Sequence, residues 1–254
     1  MARIVGKPGR YGMEHEAKIL QKQLLIGMFL IMGIGIALGA SFRFVGSWIA
    51  WVMVAAELGL LWYGKRLFSR LDDCRKAWSS GSEGEREVAD ALAKLPDCYC
   101  VIHDISTDYG NLDHVVVGPK GVFAIETKRW KGSVSADGNG GLLLNGKQLS
   151  KDPVKLLTGA IMRIKERLIP LTQISDVYIQ GLIVFPISYL DAKWGSTGSA
   201  HCLVPDKIES YLEQWYNPKR TLSSEEVERI ARGFAALARM EEGFECVVTA
   251  DHGR

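Results

Sequence analysis

The 254 residues carry 31 Lys and Arg against 29 Asp and Glu, a formal charge of +2, and 47% of them are hydrophobic. That balance excludes a disordered polyelectrolyte and a broadly basic nucleic-acid binder, and it leaves room for one sizeable core. Five cysteines, Cys74, Cys98, Cys100, Cys202 and Cys246, are odd in number and scattered, which excludes a disulfide framework and fits reduced structural thiols.

The first predicted elements are apolar. Leu24 to Ala40 carries no charge, and Trp48 to Tyr63 carries only Glu57. Each run is slightly shorter than the ~20 residues of a bilayer span, but flanking aromatics extend them. With Ser41 to Ser47 between them, they read as a transmembrane helical hairpin over residues 24–64. Arg3, Lys7, Arg10, Lys18 and Lys22 precede it, and Lys65, Arg66, Arg70, Arg75 and Lys76 follow, leaving Arg43 alone between the runs. Positive residues mark the cytoplasmic side, so a basic N-terminal stretch 1–23, a basic linker 65–80 and everything after it are expected in the cytoplasm, beneath an inner (plasma) membrane crossed more than once. A cleaved signal peptide, with Ala37-Leu38-Gly39 as a small-residue site, and a pair of buried core helices are the alternatives at this point. Gly35 to Gly39 matches a small-residue helix-packing motif, and Glu57 is costly in the membrane interior; both point to self-association into a homo-oligomer. The basic flanks suit anionic lipids.

Charge changes sign along the chain. Through Trp78 there are 11 basic and 5 acidic residues; the remainder holds 20 and 24. The part beyond the apolar runs is therefore mildly acidic, with a local basic patch at Lys128, Arg129 and Lys131.

Ser82-Glu83-Gly84-Glu85 reads as a capping box that opens a helix at Ser82. Val88, Leu92 and Leu95 follow at helical spacing and place Glu85 on the buried stripe, where a carboxylate needs a partner. That partner is the Ser82 backbone N–H, a catalytic site, or both.

The segment Asp113 to Lys128 reads as a β-hairpin around Gly118-Pro119-Lys120-Gly121. Counting back from the turn sets Val117 opposite Val122 and Asp113 opposite Glu126, with Cβ atoms about 5 Å apart. Lys128 shares the face of Glu126, and His114 points to the other face. Opposed carboxylates repel, and a divalent cation resolves the conflict: Mg²⁺ takes one or two carboxylates, waters and phosphate oxygens. Such an ion stabilises charge on a phosphoryl group and lowers the pKa of bound water, so the arrangement suits phosphodiester hydrolysis. The bland alternative is a solvated strand face that happens to be charged.

Gly81-Ser-Glu-Gly-Glu85 together with Leu112-Asp-His-Val-Val-Val-Gly-Pro-Lys-Gly-Val-Phe-Ala-Ile-Glu-Thr-Lys-Arg-Trp-Lys-Gly132 resembles the nuclease-related domain (NERD), a branch of the PD-(D/E)XK nucleases. The resemblance covers roughly Gly81 to Leu168. It implies a domain over 81–254 of α/β class, a restriction-endonuclease-like core with a mixed central β-sheet flanked by helices, here preceded by two transmembrane helices. It also implies Asp113 and Glu126 as ligands of Mg²⁺ (or Mn²⁺), Thr127 lending its carbonyl, Lys128 as catalytic lysine and Glu85 as accessory acid. Where members commonly show Asn-Pro followed shortly by Gln, this sequence has Asp152-Pro153 leading into Val154-Lys155-Leu156, a departure that puts any substrate contact from that helix in doubt. The implied function is a membrane-anchored, metal-dependent nuclease of bacterial type acting on nucleic acid, DNA ahead of RNA; the alternative is a non-catalytic binding or scaffold module with a nuclease-like fold.

Farther along, Gly132 to Leu149 reads as further hairpin structure with turns at Asp137 to Gly141 and Asn145-Gly146. Pro153 opens an amphipathic helix carrying Leu157, Ile161, Ile164 and Leu168, and Val177 to Pro186 is a buried strand. Asp206 to Glu209 starts a helix with Ile208, Leu212 and Trp215 inward. Ser223 or Ser224 starts the last one, with Val227, Ile230, Phe234 and Leu237 on its face.

Overall fold

The computed structural model describes residues 1–41, 46–105, 111–139, 141–192, 200–215 and 221–251, and the side chains of these apart from 37, 40, 41, 50 and 239–251. Most of the Ser41–Ser47 linker, with Arg43, and the Cys246 side chain lie outside them. The chain divides into two compact units: residues 1–10 with 81–254, and Tyr11–Ser80.

The elements run β1 (Arg3–Val5), α1 (Arg10–Ser41), α2 (Trp48–Ala93), β2 (Cys100–Ile105), β3 (Leu112–Gly118), β4 (Gly121–Thr127), β5 (Ser133–Ala136), β6 (Leu142–Leu144), β7 (Lys147–Gln148), α3 (Pro153–Thr172), β8 (Ile179–Val184), β9 (Tyr189–Asp191), β10 (Ala200–Leu203), α4 (Ile208–Gln214) and α5 (Ser224–Asp251). A six-stranded sheet has the order β1-β2-β3-β4-β8-β10, and a smaller one has the order β7-β6-β5-β9. The large sheet is mixed: β2, β3 and β4 are antiparallel, while β1 on β2, and β8 on β4 and β10, are parallel. Mixed α/β architecture is as expected from the sequence.

The central strands are apolar on both faces because both faces are covered. Val115, Val117, Val122, Ala124 and Ile183 pack with Leu157, Ile164, Leu168, Ile230 and Phe234 of α3 and α5. Val116, Phe123, Ile125, Leu182 and Val184 pack with Val88 and Leu92 of α2 and with Ile208 and Leu212 of α4. Helix α3 starts where its cap chemistry dictates: the Asp152 carboxylate accepts the N–H groups of Val154 at 2.9 Å and Lys155 at 3.4 Å, and Pro153 has no N–H to satisfy.

Two expectations need correction. Ser82 does not open a helix, because α2 already runs through it from Trp48. The preceding 65–80 stretch is rich in helix-forming residues and in spaced ion pairs, Asp72 with Arg75 at 2.9 Å and with Lys76 at 2.7 Å, so the chain has no reason to break before the capping sequence. Second, among the described residues one helix, not two, is long and apolar enough to cross a membrane: Arg10–Ile36, 27 residues. The Trp48 to Tyr63 run is shorter, and Glu57 and three tryptophans dilute it.

Within the Tyr11–Ser80 unit, α1 and the first part of α2 run antiparallel. They approach closely at Gly64, where a Cβ would sit 2.6 Å from a Leu30 methyl. Farther along, the Trp78 ring stacks on His15 with centroids 4.7 Å apart and meets Tyr11 edge-on at 5.8 Å.

Candidate active site

The β3–β4 register pairs Val117 with Val122 and continues through His114 with Ile125, so the next pair outward is Asp113 with Glu126. Asp113 shares the face of Val115 and Val117, and Glu126 that of Val122 and Ala124, which is the α3 and α5 side of the sheet. Lys128 follows two residues after Glu126, and its backbone N–H donates to the Val184 carbonyl at 2.9 Å, which holds it against β8. The Lys128 ammonium forms a direct ion pair with the Glu126 carboxylate. The Thr127 N–H donates to Asp113 Oδ2 at 2.6 Å and so orients that carboxylate. The Thr127 side chain is buried, and among the described residues its Oγ1 has no partner.

Glu85 approaches from α2. Burial first, then the charges of Asp104 and Glu126, push its carboxyl up to about 7, against the opposing pull of Lys128 and Arg86. Asp113 is raised well above the ordinary carboxylate range, chiefly by burial and then by the charges of Glu126 and Glu85. For Lys128, burial works to deprotonate the amine, but Glu126, Asp113 and Glu85 together outweigh it and keep the ammonium more firmly protonated than usual. A crowded set of acids thus gathers around Lys128, with Arg86 acting on Glu85 as well.

Asp104 was not singled out from the sequence. The β2–β3 register pairs His103 with His114 and Ile105 with Leu112, so Asp104 falls opposite Asp113. Asp104, Asp113 and Glu126 therefore form a row across three adjacent strands. Asp104 has a left-handed backbone, φ 58°, a conformation uncommon among non-glycine residues that Asp adopts more readily than most. The signal available in the sequence was His103-Asp104 directly after an apolar stretch, but reading it requires knowing that 99–105 pairs with the hairpin.

Gly84 and Arg129 tie α2 to the end of β4. A Cβ on Gly84 would lie 3.0 Å from Arg129 Cβ, and the Arg129 guanidinium bonds the Glu83 carboxylate at 3.1 Å. This contact carries Glu85 toward Lys128.

On the opposite face His114 is fully buried. Its Nδ1 lies 2.7 Å from His103 Nδ1, so one ring donates and the other accepts. Burial, followed for His114 by the neighbouring ring, depresses both histidines, His103 to about 4, and both stay neutral at pH 7. They are structural.

Among the described residues no group of three or more His, Cys, Asp or Glu side chains is gathered as a ready-made metal cage. The donor set nevertheless fits a hard divalent ion of the Mg²⁺ type, which takes one or two carboxylates and completes its shell with carbonyl, water and phosphate oxygens. Asp113 and Glu126 are two such carboxylates on adjacent strands, and Lys128 alone does not balance them. Asp152 is spent on capping α3.

Residues 80–186 match the family described as NERD, nuclease-related domain. An uncharacterized protein of Bacillus anthracis is 41% identical over 58 residues, which are 20% of this chain and 27% of that protein. The chain thus spans about a quarter of the length of this curated relative. No solved structure matches the chain.

Proposed function

We propose that the nuclease-like domain is a metal-dependent phosphodiesterase acting on nucleic acid, with DNA the first substrate to test, held at the cytoplasmic face of the plasma membrane by its apolar N-terminal segment. The observation that carries this reading is the gathering of Asp113 and Glu126 on adjacent strands, one step beyond the His114–Ile125 pair, with Lys128 ion-paired to Glu126 and Glu85 close enough to feel their charge. A pair of adjacent strands built for stability alone would not oppose two acids there.

In this reading Asp113 and Glu126, with the Thr127 carbonyl, hold Mg²⁺ or Mn²⁺. The bound ion supplies polarisation of a phosphoryl oxygen and a more acidic water. Lys128, kept protonated by its acidic neighbours, lies where charge develops on the phosphoryl group. Glu85, held near neutrality, exchanges a proton at physiological pH, as a general acid or base must. Arg129 and Lys131 give a local cationic approach for the phosphate backbone in a domain that is otherwise mildly acidic. Self-association through Glu57 and the Gly35 to Gly39 stripe, and attraction of the basic flanks to anionic lipid, complete the proposal.

The test is cleavage of a panel of duplex and single-stranded DNA and RNA by the purified full chain with Mg²⁺, Mn²⁺ or chelator. Metal-dependent cleavage that disappears in Glu126→Ala and Lys128→Met, with a metal-induced rise in melting temperature that disappears in Glu126→Ala, supports the enzyme. Nucleic-acid binding without cleavage, unchanged by either substitution, would establish the non-catalytic binding module instead.

A further inference from the structure

Residues that precede the apolar helix close one edge of the nuclease-like sheet. Strand β1 pairs in parallel with β2, Arg3 with Cys100, Ile4 with Val101 and Val5 with Ile102. The Arg3 N–H extends the ladder by donating to the Tyr99 carbonyl at 3.0 Å. Ala2 is buried in the layer that holds Val88 and Leu92, and Val5 packs against the layer on the other face. The Arg3 guanidinium bonds Glu228 of α5 at 2.7 Å.

The turn that leaves the strand is equally specific. Gly6 has φ +86°, and a Cβ there would lie 2.8 Å from the His103 carbonyl oxygen. Gly9 has φ +71°, and its Cβ position is 3.2 Å from Ser82 Cβ. The chain therefore leaves the domain at Gly9 beside the point, Ser82, where it comes back.

We propose that residues 2–9 are an integral part of the nuclease-like domain and that 11–80 is a membrane arm inserted within it, so that the arm leaves and re-enters on one side of the bilayer. This rests on the membrane part of the proposed function and is independent of the nuclease part. A β-ladder cannot be completed across a bilayer, because its unpaired N–H and C=O groups would face hydrocarbon. If α1 crosses, the chain must cross back before Ser82. Although it falls short of the length and apolarity of α1, Trp48 to Tyr63 is then the segment left to return, since it runs antiparallel to α1 and the two helices pack at Leu30 and at Gly64 just beyond it. That both ends of the arm lie on the same side thus follows from strand pairing, and which side that is rests on the basic flanks.

The pairing can be trapped. Arg3 and Cys100 are direct partners, and adjacent strands lie about 4.8 Å apart, within the Cα separation a disulfide spans. The test uses the full chain in its native membrane, with Arg3→Cys, with Cys74, Cys98, Cys202 and Cys246 replaced by Ser, and with a protease site in the Ser41–Ser47 linker. An unchanged melting temperature of the reduced protein shows that it folds. After mild oxidation, protease added to intact cells should cut the linker, and the two fragments should stay together until reductant is added. Cutting from outside without any cross-link in the folded protein would overturn the strand assignment. A cross-link with a linker cut only after the cells are opened would overturn the return crossing. Release of the protein by alkaline carbonate would show instead that the membrane reading itself fails.

Discussion

Neutralising Glu85 should stabilise the metal-free protein, and only at neutral to alkaline pH. In the folded domain the Glu85 carboxyl titrates at about 7 rather than 4.5, because burial and the charges of Asp104 and Glu126 disfavour its ionised form. A raised folded-state value means that the folded protein holds the proton more tightly than the unfolded chain. The stability contribution is therefore fully present below pH ~4.5 and is lost as pH rises through about 7. Forcing ionisation at pH 8 costs up to about 3 kcal/mol at ~1.4 kcal/mol per pH unit, a ceiling because partial exposure screens the charge. Glu85→Gln removes that cost. For a domain of this size, at roughly 2–4 °C per kcal/mol, the variant should melt up to about 10 °C above wild type at pH 8 in chelator. At pH 4.5 the two should melt within about 1 °C of each other, since each then carries an uncharged side chain of the same shape. Thermal melts of the detergent-solubilised full chain at both pH values decide it. Because all other titrations are common to the two proteins, their difference isolates Glu85. An equal offset at both pH values, or a less stable variant at pH 8, would show that Glu85 is not crowded by like charge.

The same logic extends to Asp113, whose carboxyl is raised well above its ordinary range, chiefly by burial: Asp113→Asn should raise the melting temperature in chelator at pH 8 while eliminating any metal-dependent stabilisation, both read in one thermal scan with and without Mg²⁺. The buried histidines carry the opposite sign. With His103 held down to about 4, its contribution is present above pH 6.5 and lost as pH falls toward 4, so His103→Gln should flatten the acid limb of the stability curve measured by urea unfolding over that window. Gly118→Ala tests packing alone, since a Cβ there would meet the Tyr99 ring at 2.1 Å; overpacking of this kind costs roughly 1–3 kcal/mol, and an unchanged urea midpoint would mean that Tyr99 moves freely.

What could be read from the sequence was local. The turn at Gly118 to Gly121 and the apolar runs beside it fixed the β3–β4 register down to Val117 with Val122; the helices from Pro153 and Ser224 announced themselves by spacing and capping residues, whereas α4 was legible by spacing alone, since Asp206 lies in a 3-10 turn before it and does not cap it. What escaped was non-local or brief. Strands β1, β9 and β10 have three or four residues each, too few for alternation to register, and β1 is defined by a partner about a hundred residues away. Asp104 escaped for the same reason, since its significance comes from the β2 pairing and its local sequence carries no motif. The helix start at Ser82 was misjudged for a different cause: a genuine capping pattern is overridden when the residues before it are themselves helical and ion-paired.

The placement of the acids also explains why the fold can hold them. Acids on neighbouring strands destabilise the segment that carries them, yet β3 and β4 are among the most buried strands, with Val115, Val116, Phe123, Ala124 and Ile125 fully inaccessible. At about 25 cal/mol per Å² of apolar surface, two faces of such side chains outweigh a repulsion of a few kcal/mol. Asp113 and Glu126 lie where that apolar stretch ends, close enough to it to be rigidly held. The row Asp104, Asp113, Glu126 then follows from register alone: once the turn sets one pair, each neighbouring strand brings its residue into line. Rigid backbone pairing supplies the positions, and in the proposed reading the negative charge gathered around Lys128 is what a divalent cation would neutralise.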